Sequence, residues 1–185
     1  PEAIVQIDSN EAVFTEPVDT EDYDALGIGP GLGQTENTSI ALIAQLRRTQ
    51  CPIVADADAL NILANRKAWI QQLPKGIIMT PHPKEFDRID GHCTNTYERI
   101  SKAKALATRL QGYIILKGKY SALCMPNGKV AFNSTGNAGM ATAGSGDVLA
   151  GIVASMAHIM PTNIEASINA SYLHGRAGNL AQKEK

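Results

Sequence analysis

Residues 137–147 combine a flexible backbone with a carboxylate in a way that suits phosphate chemistry. They read Asn-Ala-Gly-Met-Ala-Thr-Ala-Gly-Ser-Gly-Asp and run directly into the apolar residues 148–153. Small residues before a helix let several N–H groups converge at its positive end, which suits a bound phosphate. A carboxylate there would repel a phosphate, but it can act as a general base beside an attacking hydroxyl. We therefore predict that Asp147 is catalytic, with a helix-capping role as the alternative.

A glycine-rich loop follows the first predicted strand. Gly27, Gly29, Gly31 and Gly33 stand at every second position, so a ligand can approach the backbone closely. The loop is not a dinucleotide-binding fingerprint, because Leu32 occupies the place of the third glycine. A flexible turn between strand and helix is the alternative.

Two carboxylates and a histidine follow the next two predicted strands. Asp56 and Asp58 are placed to organise a metal-bound phosphate or a substrate hydroxyl, unless Asp58 simply caps the following helix. His82 lies between two prolines on a stiff loop, which favours a functional over a structural role. With His92 and Cys93 it matches no established zinc spacing, so we predict no metal site built from protein ligands alone.

A basic loop, residues 117–121, lies between two further predicted strands and superficially resembles a P-loop. Five residues rather than four separate Gly112 from Gly118, and Tyr120 stands where a P-loop has Ser or Thr. A nucleotide can still lie across Gly118, but not in the P-loop manner.

A mostly parallel α/β sheet would bring these loops together, because ligands bind beyond the carboxyl ends of parallel strands. Alternating short apolar runs and helical patterns predict that architecture, in three layers. The predicted strands span residues 23–28, 52–55, 76–79 and 113–117, with a hairpin of 121–125 and 129–132 around Pro126-Asn127-Gly128, and residues 1–5 lead into a further short strand. The predicted helices span residues 38–48, 59–71, 97–111, 147–158 and 163–181.

Composition excludes several classes of protein. The 185 residues carry a net charge of −1, which argues against nucleic-acid binding, and 44% hydrophobic residues argue against disorder. Three widely spaced cysteines, Cys51, Cys93 and Cys124, suggest no disulfide framework. Asp147 interrupts the longest apolar stretch, which argues against a membrane span. We predict a single soluble, cytoplasmic domain over residues 1–185, and the absence of an initial Met suggests a fragment.

Four segments occur in an order that resembles one known family. They are residues 29–33, 56–61, 80–83 and 137–147. Together they are similar to the ATP- or ADP-dependent NAD(P)H-hydrate dehydratases of the ribokinase-like superfamily, which also form the C-terminal half of a bifunctional repair enzyme. The resemblance implies a three-layer α/β/α fold. Since the family domain is longer, it also implies that roughly its first third is missing here.

The resemblance implies a repair reaction and assigns residues to it. Hydrated NADH or NADPH is phosphorylated on its C6 hydroxyl by ADP or ATP with Mg²⁺, and phosphate then leaves. Asp147 would accept the hydroxyl proton, and Gly29, His82 and Asp147 would bind the hydrated cofactor. The implied nucleotide-binding residues are Lys117, Gly118, Lys119, Tyr120, Ser121, Asn137, Gly144, Ser145 and Gly146. The implied partners are further copies in a homo-oligomer, commonly a tetramer, and an epimerase, fused or separate.

Two other functions are consistent with the same segments. A vitamin-precursor kinase of the same superfamily shares the Gly-x-Gly-Asp segment, but residues 56–61 and 80–83 favour the dehydratase. A non-catalytic nucleotide-binding module is the third possibility.

Overall fold

The computed structural model describes residues 4–184, which build one six-stranded sheet whose strands lie side by side in chain order. The strands are β1 (Leu26–Ile28), β2 (Ile53–Ala55), β3 (Ile78–Met79), β4 (Tyr113–Leu116), β5 (Ser121–Cys124) and β6 (Val130–Asn133). Strands β1 to β4 are mutually parallel, whereas β5 and β6 are antiparallel to their neighbours and form the predicted hairpin. The predicted, mostly parallel α/β sheet is confirmed.

Within residues 4–184, seven α-helices cover the sheet. They are α1 (Glu36–Arg48), α2 (Ala57–Asn65), α3 (Lys67–Ile70), α4 (Pro83–Asp90), α5 (Thr96–Leu110), α6 (Ser145–Ile159) and α7 (Asn163–Lys183). A short 3₁₀ helix, Ala138–Met140, precedes α6. Among residues 4–184, no helix combines the length and the apolar character needed to cross a membrane.

The helices divide between the two faces of the sheet. Parallel crossovers are almost always right-handed, so a sheet that grows in one direction places its crossover helices on a single face. Apolar residues of α1 to α5 accordingly pack against one side of the strands, and those of α6 and α7 against the other. Successive strand residues point into opposite cores, as Ile53 and Val54 illustrate. The fold therefore has three layers, with helices on both faces of the sheet.

Some predicted boundaries are wrong. The helix predicted over residues 59–71 is two helices, because the backbone turns at Arg66 with φ of −130° and ψ of 60°. Helix α4 was not predicted, since Pro83 reads as a stop, although proline is favoured in the first turn of a helix. Strand β1 begins at Leu26 rather than at residue 23. Residues 1–5 were predicted to lead into a further short strand. Residues 4–5 have no regular secondary structure, and residues 1–3 lie outside the part of the chain that the structure describes.

Candidate active site

The residues that follow β2 and β4 lie against the start of α6, and those that follow β1 and β3 lie beside them. Gly29 follows β1, Asp56 follows β2, and Lys117 follows β4. Main-chain hydrogen bonds tie these ends together: Asp56 N donates to the Ile28 carbonyl at 3.1 Å, and Lys117 N to the Pro81 carbonyl at 2.9 Å. The loops therefore have a common rigid support.

Helix α6 presents its positive end to this edge of the sheet. Gly144 is its N-cap residue, with a φ of +83°, a conformation that L side chains rarely adopt. Ser145, Gly146 and Asp147 form the first turn. Ser145 N donates to the Thr142 carbonyl at 3.3 Å, whereas the N–H groups of Gly146 and Asp147 have no acceptor within the helix. The Asp147 side chain is exposed there and does not occupy the capping position. The first turn therefore offers backbone donors next to an exposed carboxylate.

A charged cluster lies against this turn, and we call Lys117, Asp56 and Glu85 the Lys117 cluster. Lys117 Nζ lies 2.9 Å from Asp56 Oδ1 and 4.0 Å from Glu85 Oε2. The Asp56 side chain is 1% exposed and that of Lys117 is 20% exposed. A Cβ on Gly146 would lie 3.2 Å from Lys117 Nζ and 3.7 Å from Asp56 Oδ2, so the absence of a side chain there lets the cluster approach the helix.

A pocket of about 800 Å³ opens beside the cluster. Nine of the residues predicted from sequence line it: His82, Lys117, Gly118, Lys119, Tyr120, Ser121, Asn137, Ser145 and Gly146. Gly29, Gly144 and Asp147 are not among its lining residues; Gly144 and Asp147 lie at the start of α6, and Gly29 packs against Asp56. The structure thus brings the predicted nucleotide-binding residues to one cavity, apart from Gly144.

His82 has a structural contact that the sequence did not predict. Its Nδ1 accepts a hydrogen bond from Lys84 N at 3.3 Å, and its own N–H donates to Glu85 Oε2 at 2.7 Å. This reciprocal pair caps the start of α4. The side chain is exposed at the pocket wall, so His82 is both a helix cap and a candidate contact for a ligand.

Asn137 is also engaged within the protein. Its Oδ1 accepts from Gly139 N at 2.9 Å, and its Nδ2 donates to the Gly178 carbonyl at 2.8 Å and to Asn179 Oδ1 at 3.1 Å. These bonds attach the pocket wall to α7. A contact between Asn137 and phosphate or metal stays a prediction.

Asp58 does not cap α2, so that alternative is wrong. Asp56 holds the N-cap position, and Asp58 stands in the first turn. The Asp58 carboxylate accepts from Gly33 N at 2.9 Å and from Gln34 Nε2 at 2.7 Å. It thereby fastens the glycine-rich loop to α2.

Sequence reasoning missed the contribution of α7 to the pocket. His174 Nε2 lies 3.4 Å from Ser145 Oγ, and burial lowers the pKa of the His174 imidazole. Gly175 faces Thr135, where an added Cβ would lie 2.2 Å from the hydroxyl and 2.7 Å from the carbonyl carbon. The only available signal was the pair His174-Gly175 inside a helical pattern, which matches no motif of known chemistry.

The site has oxygen donors of the kind that Mg²⁺ prefers. Residues 4–184 contain no group of three or more His, Cys, Asp or Glu side chains that could hold a metal. Mg²⁺ commonly binds one or two carboxylates, with phosphate oxygens and waters completing its coordination. Asp56 is buried and paired with Lys117, so Glu85 is the carboxylate of the Lys117 cluster that fits an ion arriving with nucleotide phosphates.

Fold and site together define a class of protein: open α/β domains that hold phosphate groups beyond parallel strands, at the start of a helix. Comparison with known proteins narrows this class, since the family model described as NAD(P)H-hydrate dehydratase matches residues 1–185. The chain belongs to that family.

Similar proteins of known sequence and structure support this family assignment. The bifunctional NAD(P)H-hydrate repair enzyme of Moorella thermoacetica is 40% identical over 167 residues, which cover 89% of this chain and 31% of that protein. The ADP/ATP-dependent NAD(P)H-hydrate dehydratase of Bacillus subtilis, co-crystallised with ATP/Mg²⁺, is similar with a TM-score of 0.75 and 35% identity, covering 94% of this chain and 60% of that one. A ribokinase-like superfamily protein of Enterococcus faecalis gives a TM-score of 0.73 at 29% identity, over 86% and 56% of the two chains. The predicted ribokinase-like fold is confirmed, and this chain spans less than two thirds of each relative.

Proposed function

We propose that this protein restores NADH or NADPH from the hydrated cofactor in a nucleotide-dependent dehydration, a lyase reaction. One observation supports this most strongly: the first turn of α6, which carries the exposed Asp147, begins next to Lys117 at the edge of a pocket of about 800 Å³. The B. subtilis relative bears this activity in its name. The same arrangement suits transfer of a phosphoryl group to a hydroxyl.

Each residue has a distinct task in the proposed reaction. Asp147 accepts the proton of the C6 hydroxyl as that oxygen attacks the terminal phosphorus of ADP or ATP, an effect worth ~10²–10⁴-fold. The amides of Gly144, Ser145 and Gly146 hold the phosphoryl oxygens, and the Lys117 ammonium offsets their charge. Phosphate then departs with the bonding electrons of the C–O bond while the lone pair of the ring nitrogen forms an N–C6 double bond. Loss of a proton from C5 to solvent then returns the lone pair to the nitrogen and leaves the C5–C6 double bond of the reduced cofactor. Phosphate is a far better leaving group than hydroxide, which is why the nucleotide is needed.

The two ligands occupy neighbouring parts of the site. The hydrated cofactor lies near Gly29, His82 and Asp147, and the adenine nucleotide lies along residues 117–121, Asn137 and Ser145, which line the pocket. Mg²⁺ that arrives with the nucleotide would be held by the phosphates and by Glu85, and it would neutralise part of the phosphate charge.

The wider context of the reaction is also part of this proposal. All six strands belong to one sheet, which supports a single ribokinase-like domain over residues 1–185. The Moorella relative is named as bifunctional, which supports an epimerase, fused or separate, as a partner. We propose a cytoplasmic homo-oligomer, with a tetramer as the expected form.

A spectroscopic assay tests the function. Hydrated NADH is mixed with the protein, Mg²⁺ and either ADP or ATP, and the absorbance of reduced nicotinamide is followed. Recovery that requires the nucleotide supports the dehydratase and identifies the donor. No recovery, combined with phosphorylation of a hydroxymethylpyrimidine or hydroxyethylthiazole, would instead favour the vitamin-precursor kinase, which the shared Gly-x-Gly-Asp segment keeps as the second candidate.

A further inference from the structure

Asp56 holds a helix-capping position without capping the helix. Thr35, Asn95 and Thr162, at the starts of other helices, each accept a hydrogen bond from their own first turn. Asp56 makes no such side-chain bond, and its Oδ1 accepts from Lys117 Nζ instead. The carboxylate is therefore committed to a residue 61 positions away in the chain.

Burial makes this arrangement costly. The Asp56 side chain is 1% exposed, and removing a carboxylate from water is unfavourable unless a partner charge compensates for it. The backbone around Asp56 is equally constrained, because a Cβ on Gly29 would lie 1.8 Å from the Asp56 carbonyl oxygen. The absence of a side chain on Gly29 therefore allows the Asp56 backbone to occupy this position.

Lys117 needs such a partner to stay where it is. Its ammonium is drawn to within 3.2 Å of the Cβ position of Gly146, close to the positive end of α6. A cation is repelled from that end of a helix, and a lysine stem has many rotamers that lead to solvent. The second carboxylate of the cluster, Glu85, is 4.0 Å away and already accepts from His82 N. Asp56 is the close counter-charge.

We propose that Asp56 is a positioning residue that acts through Lys117, holding its ammonium where the transferred phosphoryl group meets the first turn of α6. This inference rests on the proposed function. It adds a residue that touches neither the hydroxyl nor the phosphoryl group, yet sets the geometry of one that does.

A double-mutant cycle tests the proposal. Asp56→Asn keeps the shape of the side chain and removes its charge, and we expect kcat to fall and the nucleotide KM to rise, about tenfold in combination. In a Lys117→Met background the same substitution should change either constant less than about twofold, since the residue through which Asp56 acts is gone. A purely structural role predicts the same factor in both backgrounds, and that result would overturn the proposal. Unchanged constants for Asp56→Asn would also overturn it.

Asp87→Asn is the matched control. Asp87 pairs with Arg99 in a partly buried ion pair, with N–O distances of 2.7 and 2.8 Å, away from the pocket lining. Its loss should lower Tm and leave kcat and KM at their original values. A decline in kcat matching that of Asp56→Asn would show a general stability effect and overturn the proposal.

Two further measurements keep the test decisive. If the wild-type protein does not turn over hydrated NADH, the proposed function fails, and the cycle is then measured in the Kd of MgADP, with the same predicted non-additivity. If Asp56→Asn alone does not fold, Tm is compared between Lys117→Met and the double variant. Lys117→Met leaves a buried carboxylate unpaired, so the double variant should melt at a higher temperature. Failure of either comparison would overturn the proposal.

Discussion

Asp147 and Lys117 differ in how firmly the protein holds their side chains. Asp147 is exposed on the first turn of α6, whereas Lys117 is held by a buried counter-charge. The exposed carboxylate can change its contacts when a hydroxyl arrives, while the held ammonium keeps its place. This difference suits their proposed roles, because a general base must reorient to take a proton, whereas a group that stabilises charge works best when it is fixed.

Replacing Asp147 should separate binding from turnover. We expect Asp147→Asn to bind MgADP with a Kd close to that of the wild type, because the shape of the side chain is kept. The rate of NADH recovery should fall ~10²–10⁴-fold, since the proton acceptor is lost. Calorimetry and the absorbance assay measure the two quantities, and a rate within threefold of the wild type, roughly, would contradict the role of Asp147.

Replacing His82 should separate capping from substrate contact. His82→Ala removes both, whereas His82→Asn keeps a side chain that caps helices well. We expect both variants to raise the KM for hydrated NADH more than that for the nucleotide, and only His82→Ala to lower Tm. If His82→Asn has the wild-type KM values, the imidazole serves only α4.

At the residue scale, the sequence indicated candidate site residues but not their contacts with each other. Asp147, Lys117 and His82 could be singled out because each follows a strand or starts a helix. The pairing of Asp56 with Lys117 could not, because residues 61 positions apart meet only through the order of the strands. The same applies to His174, which reaches Ser145 across 29 residues.

At the scale of elements, α7 forms the back wall of the site through its small residues. Gly175 and Gly178 are one turn apart, and the segment before α6 packs against both: a Cβ on Gly175 would collide with Thr135, and one on Gly178 would lie 2.2 Å from Met140 Sδ. Because Thr135 and Met140 line the pocket, the closeness of this packing sets the position of the pocket wall.

Two helical glycines should therefore respond in opposite directions to alanine. Gly175→Ala meets the Thr135 backbone, so we expect it to lower the free energy of unfolding by about 1–3 kcal/mol and to weaken MgADP binding. Gly151 of α6 has open space around its Cβ position, so Gly151→Ala should raise that free energy by about 1 kcal/mol. Chemical denaturation measures both. A stabilised Gly175→Ala would contradict the close packing.

Elements were predicted well where their residues give a clear period, and poorly where proline or a short turn intervened. Helices α1, α5, α6 and α7 lie within a few residues of their predicted bounds, because their apolar spacing is regular. Helix α4 was missed because proline can stop one element and start the next. The break at Arg66 has no marker in the sequence.

At the scale of the whole molecule, several carboxylates favour the folded state only while ionised. The side chain of Arg99 lowers the pKa of Asp87, and hydrogen bonds from the Thr94 backbone and hydroxyl lower that of Glu98 to about 2. A carboxyl whose pKa is lower in the folded state stabilises the protein at neutral pH. That contribution is lost as the pH falls from about 4.5 towards 2.

Replacing Asp87 should therefore make the free energy of unfolding fall less steeply as the pH is lowered. Asp87→Asn should reduce the free energy of unfolding by about 2 kcal/mol at pH 7, with the difference from the wild type shrinking as the pH approaches 2. Denaturation series at several pH values measure this. Asp22→Asn, at an exposed position, is the control and should leave the curve unchanged. A difference that is independent of pH would contradict the assignment.

The chain order of the strands has a consequence for how this protein is made. From β2 onward, each strand pairs with the one synthesised just before it, so the sheet can grow at one edge as the polypeptide leaves the ribosome. The two faces mature at different times, however, because α6 and α7 come last and cover Val54, Ile78 and Ile115. A nascent chain that has completed β6 already carries one finished core and one bare apolar surface. That interval is when the protein is most exposed to aggregation and most dependent on a chaperone.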